Sequence, residues 1–229
     1  GDGREATAAE GAARDAASAA FDRLAHGRAA GADASLAEAV DGLRGDPWLA
    51  TIEAWEGTLI AAADPADFSV RDWSVNELPG DDLVPPAGVG ALVARLAGPV
   101  ALATPATRVV WGDGVRVETP RGTLAAKSCL VTVSTGVLAA GGIVFDPVLP
   151  GAVRDAIAGL PMGLLSKVAL AWDGPAPPPL SVQHHVAARG DAAMFFQGWP
   201  FGRRHVVGFV GGPVAWGLAR EGPAAGEAF

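Results

Sequence analysis

The basic side chains of this 229-residue sequence comprise fifteen arginines and only two lysines, Lys127 and Lys167. Lys167 is out of place, because it sits inside the apolar run "PMGLLSKVALAWDG", Pro161 to Gly174. Burying an ammonium group is costly unless something compensates it. Read as a strand, Leu165, Lys167, Ala169 and Ala171 share one face, and Ser166, Val168, Leu170 and Trp172 share the other. Both faces are largely apolar, which predicts an interior strand. On the lysine's own face the next two side chains are methyls, leaving space for a ligand or a water. A desolvated lysine can serve as a base, a Schiff-base amine or a polarising donor. Equally, its stem can pack while its head reaches an edge. The residues alone leave both readings open.

Other reactive side chains carry less. His184 and His185 are neighbours on an expected strand and point to opposite faces, so one metal could not readily take both. No paired carboxylates and no second Cys/His cluster complete a site, so no metal is expected. Cys129 lies in an apolar stretch, where a thiol is inert. Ser134-Thr135-Gly136 lacks the flanking glycines of a nucleophile elbow. The G-x-G pairs in "GDGREA", "WGDGVRV" and "AGVGALV" lack the third glycine of a dinucleotide fingerprint and read as turns and helix starts. Phe195, Phe196, Trp199 and Phe201 form an aromatic cluster, read as core, with the wall of an apolar substrate cavity as the alternative.

The elements that must position these residues change character along the chain. Residues 1–62 read as helical. In "DPWLATIEAWEGTLIAAADP", Asp46 can cap, Pro47 suits the first turn, and Trp48, Ile52, Trp55 and Leu59 form one apolar stripe. A shorter helix carries Leu36, Val40 and Leu43. After the connector "ELPGDDLVPPAG", a helix over "GVGALVARLAGP" is expected to turn Val89, Leu92, Val93 and Leu96 inward. Asp113-Gly114 marks a hairpin, Val115, Val117 and Thr119 alternate with Arg116 and Glu118, and "PRG" at 120–122 marks a second turn. Cys129 to Val133 is apolar on both faces and predicts a buried strand. A helix with Val153, Ile157 and Leu160 on one side follows, then strands over 164–172, 180–186, 192–199 and 205–211, with the proline-rich turn "DGPAPPPL" between the first two. Helices, a meander, one helix and more strands give an α+β fold rather than a βαβ array.

Composition limits the partners. Half of the residues are hydrophobic, as in a packed globular chain. A net charge of −8 argues against a nucleic-acid or anionic-membrane surface. No apolar run reaches the roughly 18–20 residues that span a bilayer. A single cysteine excludes internal disulfides and fits a reducing, cytoplasmic setting. The chain begins without methionine and ends in an alanine-rich helical pattern with no closing strand, and it reads as a piece of a longer protein.

Several stretches together resemble a family. "LVTVSTGVLAAGGIVFDPVLPGAVRDAIAGLPMGLLSKVALAW" is similar to the flavin-containing amine oxidases, the monoamine and polyamine oxidases and the flavin histone demethylases. Their pattern runs from a strand ending T-V-P-L-G-V-L, through an F-x-P-x-L-P loop and a helix, to a G-x-x-x-K-V strand. Val131–Leu138, Phe145–Pro150 and Gly163–Val168 occupy those places in order. "LATPATRVVWGDGVRVETPRGTLAAKSCLV" is similar to the meander of the flavin domain, and "MFFQGWPFGRRHVVGFVGGPVAWGLAREG" to the return strands of the substrate domain.

The resemblance implies interleaved domains, with 1–80 and 147–229 in a substrate domain and 81–146 in an FAD-binding domain. It implies FAD as cofactor, a small amine as substrate and dioxygen as oxidant. Lys167 matches the family lysine that holds a water beside the flavin. Ala106 matches the position whose backbone meets the adenine ring, where valine is usual. Thr132, Val133 and Ser134 match the strand end along the adenine nucleotide. Ser134-Thr135 replaces the family's Pro-Leu, which alters the expected turn. The family's N-terminal G-x-G-x-x-G unit and its C-terminal flavin-covering segment have no counterpart in these residues, so this chain alone is not expected to bind FAD tightly or turn over. With no tyrosine in the sequence, any cage contribution would come from Phe or Trp. An FAD-dependent C–C desaturase and a non-catalytic flavin-fold scaffold are the alternatives; the lysine favours the amine branch.

Overall fold

A computed structural model of the chain describes residues 4–77, 80, 83–175, 181–198 and 201–222. The chain forms two compact units, Gly1–Asp82 with Gly163–Phe229, and Leu83–Met162. Helices and two four-stranded sheets give an α+β architecture. The units divide after Asp82 and before Gly163.

The first unit opens with α1 (Ala8–Ala29), started by a capping box in which Thr7 and Glu10 satisfy each other's backbone N–H. Ser35 and Glu38 repeat the device ahead of the one-turn α2 (Leu36–Ala39). Then comes α3 (Leu49–Glu53), where Asp46 accepts from the Trp48 N–H at 2.8 Å. It runs straight into a π-helix, Ala54–Ala61, which the 3.6-residue stripe did not reveal. A further helix missed by the sequence reading, α4 (Val70–Asn76), is capped by Ser69, which accepts from the N–H groups of Arg71 and Asp72. Phe21, Leu36, Val40 and Val70 are fully buried and meet Ile52 in one core. Each such side chain contributes about 1.5–3 kcal/mol by leaving water.

The unit's sheet has the order β5-β8-β7-β6, with β5 (Leu165–Ala171), β6 (Ser181–Gln183), β7 (Phe195–Gly198) and β8 (His205–Gly211), all antiparallel. These answer the four expected strands; Leu180, Trp199 and the prolines of 176–180 lie outside the described residues. The loop after β6 is tied to α3. Thr51 Oγ1 accepts from the Val186 N–H at 2.9 Å, and Arg189 grips the buried Glu53 carboxylate through Nε at 2.8 Å and through Nη2. From β8 the chain passes into α8 (Gly212–Glu221).

The second unit begins with α5 (Val89–Leu96) and continues as β1 (Arg108–Gly112), β2 (Gly114–Thr119) and β3 (Gly122–Ala126), a meander turning where the sequence marked it. Gly112, Gly114 and Gly122 all take positive φ at these turns. A three-residue β4 (Val144–Asp146), not expected, pairs parallel to β1, and Arg108 bridges to Asp146 at 2.6 Å. Between them lies α6 (Thr135–Ala139), and after β4 comes α7 (Gly151–Ala158). Burial departs from expectation here. The stripe of α5 faces outward, with Val89 62% and Leu96 80% exposed, whereas in the stripe of α7 Val153 and, just past the helix, Leu160 are exposed and Ile157 is half-buried. Residues 128–134 form no strand, and Leu130 is 87% exposed. Periodicity identified which side chains share a face, but not how far that face is covered.

One cluster in the first unit makes its stability depend on pH. His26 donates from Nδ1 to the Asp22 carbonyl at 2.8 Å and from Nε2 to Glu77 at 3.0 Å, and packs edge-on against Trp73. Two donating ring nitrogens require the imidazolium, and its pKa is raised, first by the Asp22 carbonyl and then by Glu77. Glu56 accepts from Trp73 Nε1 at 3.0 Å, and burial raises its pKa. Burial, reinforced by Glu77, also raises that of Asp22. For all three groups the protonated form is favoured in the fold. The stability they contribute is present at acid pH and is lost as pH rises through their raised values, above the ordinary 4.5 of a glutamate and 6.5 of a histidine. Thermal unfolding followed from about pH 5 to about pH 8 should show a falling Tm, and Glu56→Gln should fall less steeply. Identical slopes would clear Glu56 of any part in it.

Candidate functional site

Lys167 lies in the middle of β5, and β5 is an edge strand, hydrogen-bonded only to β8 among the described residues. The expected interior strand is corrected accordingly: Lys167, Ala169 and Ala171 are exposed, and the ammonium group is not desolvated by protein. The stem lies on the sheet and the head stands 5.4 Å from the centroid of the Phe209 ring. The negative face of an aromatic ring attracts a cation at this range. The ammonium makes no ion pair or hydrogen bond with any described residue.

The strand register explains the placement. Lys167 pairs with Phe209, Phe209 with Phe195, and Phe195 with Gln183, a single row across all four strands. Paired residues share a face of the sheet. Phe195 and Phe209 meet at 5.7 Å, and Trp55 of the π-helix meets Phe195 edge-on at 5.2 Å. Gln183 Nε2 donates to the Thr51 carbonyl at 3.1 Å, so α3 and the π-helix pack over the far end of the row. The expected aromatic cluster therefore divides. Phe195 joins the lysine's row, Phe196 sits opposite Gly208 and Val182 on the other face, Phe201 is exposed, and Trp199 lies outside the described residues. Trp55 and Phe209, which the sequence reading did not assign to this row, complete it.

The remaining predicted residues belong to the second unit. Ala106 is half-buried just ahead of β1. Thr132 and Val133 lie in an exposed, irregular run, where residues 128–133 make no backbone–backbone hydrogen bond with described residues. Ser134 caps α6, its Oγ accepting from the Val137 N–H at 3.4 Å, so the serine that replaces proline starts a short helix. Cys129 is exposed rather than enclosed in a strand. A separate apolar cavity of about 400 Å³ is lined by Leu138, Val144, Phe145, Leu149 and Ile157, with Arg154 its one charged residue. None of the predicted site residues lines it.

The histidines are occupied structurally. His185 Nε2 donates to the Pro47 carbonyl at 2.9 Å, with its ring against Trp48, and His184 Nε2 donates to the Ala192 carbonyl at 3.3 Å. Among the described residues no group of three or more His, Cys, Asp or Glu is placed to hold a metal, and no helix is long and apolar enough to cross a membrane.

Each unit by itself carries groups of a kind a flavin cofactor can use: in the first, a lysine ammonium with no ion pair or hydrogen bond among the described residues, next to the exposed Ala169; in the second, residues 128–133, whose backbone donors and acceptors have no backbone partner among the described residues.

Comparison with known proteins places the chain in a family. The chain is 37% identical over 124 residues to lysine-specific histone demethylase 1 homolog 1 of Oryza sativa subsp. japonica, covering 49% of this chain and 15% of that protein. It is 33% identical over 127 residues to polyamine oxidase 4 of the same organism, covering 53% of this chain and 25% of that one. The chain thus spans a quarter or less of the length of these curated relatives. Its fold matches that of a putrescine oxidase double mutant redesigned in cofactor binding, with a TM-score of 0.65 and 17% identity, over 96% of this chain and 57% of that one. Residues 4–224 match the family described as flavin containing amine oxidoreductase, and to that family the chain belongs.

Proposed function

We propose that the full-length protein carrying these residues is an FAD-dependent amine oxidase. The observation that carries the reading is the family match across residues 4–224; the likeness of Gly163–Val168 to the family's G-x-x-x-K-V strand is what supports giving Lys167 the role of the family lysine. When bound, FAD would supply the redox chemistry, a two-electron oxidation of the amine to a hydrolysable imine with dioxygen as final acceptor and hydrogen peroxide as its product.

The part of this chain is positioning and charge. Lys167 holds a water through one ammonium N–H and keeps a fixed positive charge where negative charge develops during oxygen reduction. Ala169 and Ala171 keep the strand flat beside it, so a planar ring can approach. The backbone around Thr132, Val133 and Ser134 binds the adenine nucleotide portion, and the backbone at Ala106 lies along the adenine. In this reading residues 1–80 and 147–229 serve the substrate and 81–146 serve the flavin.

The test is direct. The intact protein should be yellow, with a flavin absorption spectrum, and should release peroxide when offered members of an amine panel. Absence of flavin from the intact protein would remove every oxidoreductase reading. A bound flavin that is reduced by no amine, but by an unsaturation-forming substrate, would move the assignment to a desaturase.

A further inference from the structure

The row that crosses the sheet ends at Lys167, and its order has a mechanical meaning. Starting from the π-helix, Trp55 meets Phe195 at 5.2 Å, Phe195 meets Phe209 at 5.7 Å, and Phe209 meets the Lys167 ammonium at 5.4 Å. Phe195 and Phe209 are half-buried, while the lysine is exposed. A lysine on an open edge strand has four rotatable side-chain bonds and strongly hydrated donors, so it samples many positions unless something fixes its head. No carboxylate or carbonyl does this among the described residues, since the ammonium has no ion pair or hydrogen bond there. The Phe209 ring lies against it, and that ring is backed in turn by Phe195, which Trp55 meets on its own side.

We propose that Phe209 is a positioning residue for Lys167, holding its ammonium over the ring face and so fixing the charge and the bound water. This rests on the reading of Lys167 as a flavin partner given above. A ring suits this task better than a carboxylate. It localises the cation without neutralising it, and it leaves all three N–H donors free for water. A hydrogen-bonding partner would take up donors, and an ion pair would cancel the field.

The experiment has one arm that needs no flavin. In protein labelled with 13C-lysine, the Lys167 ε-proton signals, assigned by their loss in Lys167→Arg, should lie upfield of free lysine because of the ring current. Phe209→Leu should return them to the ordinary position, and Phe209→Tyr should keep them upfield. An ordinary position in the unsubstituted protein would overturn the proposal without recourse to any variant. In the flavin-loaded full-length protein, Phe209→Leu should slow reoxidation by oxygen about two- to five-fold, the scale of one exposed cation–π contact. In a Lys167→Met background the same change should slow nothing further, because Phe209 acts only through the lysine. Equal slowing in both backgrounds would show a general structural effect and overturn the proposal. Should Lys167→Met alone leave reoxidation unchanged, the reading of Lys167 as flavin partner fails, and with it the catalytic meaning of the contact; a retained ring-current shift would then mark the contact as purely structural.

Discussion

Lys167→Met should leave flavin binding by the full-length protein intact and cut the rate of flavin reoxidation by dioxygen about a hundred-fold, the usual cost of removing one preorganised donor from a site of developing negative charge. Methionine keeps the unbranched stem on the sheet and removes only the charge and its donors. The fold should tolerate the change, because Lys167 is exposed and has no ion pair among the described residues; exposed substitutions of this kind stay within about 0.5 kcal/mol. Stopped-flow mixing of reduced protein with oxygenated buffer measures the rate, and the visible spectrum beforehand measures flavin retention. A reoxidation rate equal to that of the unsubstituted protein would strip Lys167 of the role proposed for it. Loss of flavin from the variant would instead make the lysine part of cofactor binding.

The second large effect concerns the joint between β8 and the π-helix. A Cβ added at Gly211 would lie 1.5 Å from the Thr58 carbonyl oxygen, an overlap with backbone that no rotamer change relieves. The φ of Gly211 is −124°, open to any residue, so the glycine is there for space alone. Gly211→Ala must part the strand from the helix and should destabilise the first unit by about 3 kcal/mol or more, at or beyond the upper end for overpacking. For a unit of this size that lowers Tm by about 6–12 °C. Gly217, in α8, has nothing within 4 Å of its added Cβ. Gly217→Ala should therefore raise stability by about 0.5–1 kcal/mol through helix propensity. Parallel calorimetric scans of the two alanines separate a spatial requirement from a general effect of losing glycine. A Gly211→Ala protein that melts like its parent would contradict the close approach.

Local chemistry was legible where it is written in adjacent residues. The Asp113-Gly114 turn and the β8 strand His205–Gly211 were readable because turn residues and β-branched runs act over a few positions. The three-residue β4 was not, since Val144–Asp146 is too short to show alternation and forms by pairing with β1 across 36 residues. The π-helix was hidden because Trp48, Ile52, Trp55 and Leu59 satisfy an ordinary helical spacing until the extra residue per turn enters at Ala54. For α4 the signal existed, in Ser69 followed three residues later by Asp72, and passed unread. Lys167 stood out as a charge in an apolar run. Its partner Phe209 could not, because 42 residues separate the two and only strand register joins them. Burial was the least legible property. Val89, Leu92, Val93 and Leu96 share a face of α5, as read, yet pattern alone does not say what, if anything, covers that face.

The outward-facing side chains of the second unit also govern how the protein behaves in a tube. Leu96, Leu102, Leu124, Leu130, Val148 and Leu160 are all exposed on a chain whose net charge is −8 and whose isoelectric point is near 4.9. Mutual repulsion among molecules is then what opposes contact between sticky faces. At about 1 M salt that repulsion reaches only about 3 Å, and light scattering should show clusters growing with ionic strength. Acidification brings a conflict, because the conditions that favour the fold of the first unit approach the pH at which the charge vanishes. Purification and spectroscopy should therefore be done near neutral pH in dilute buffer, accepting a lower Tm in exchange for dispersed molecules.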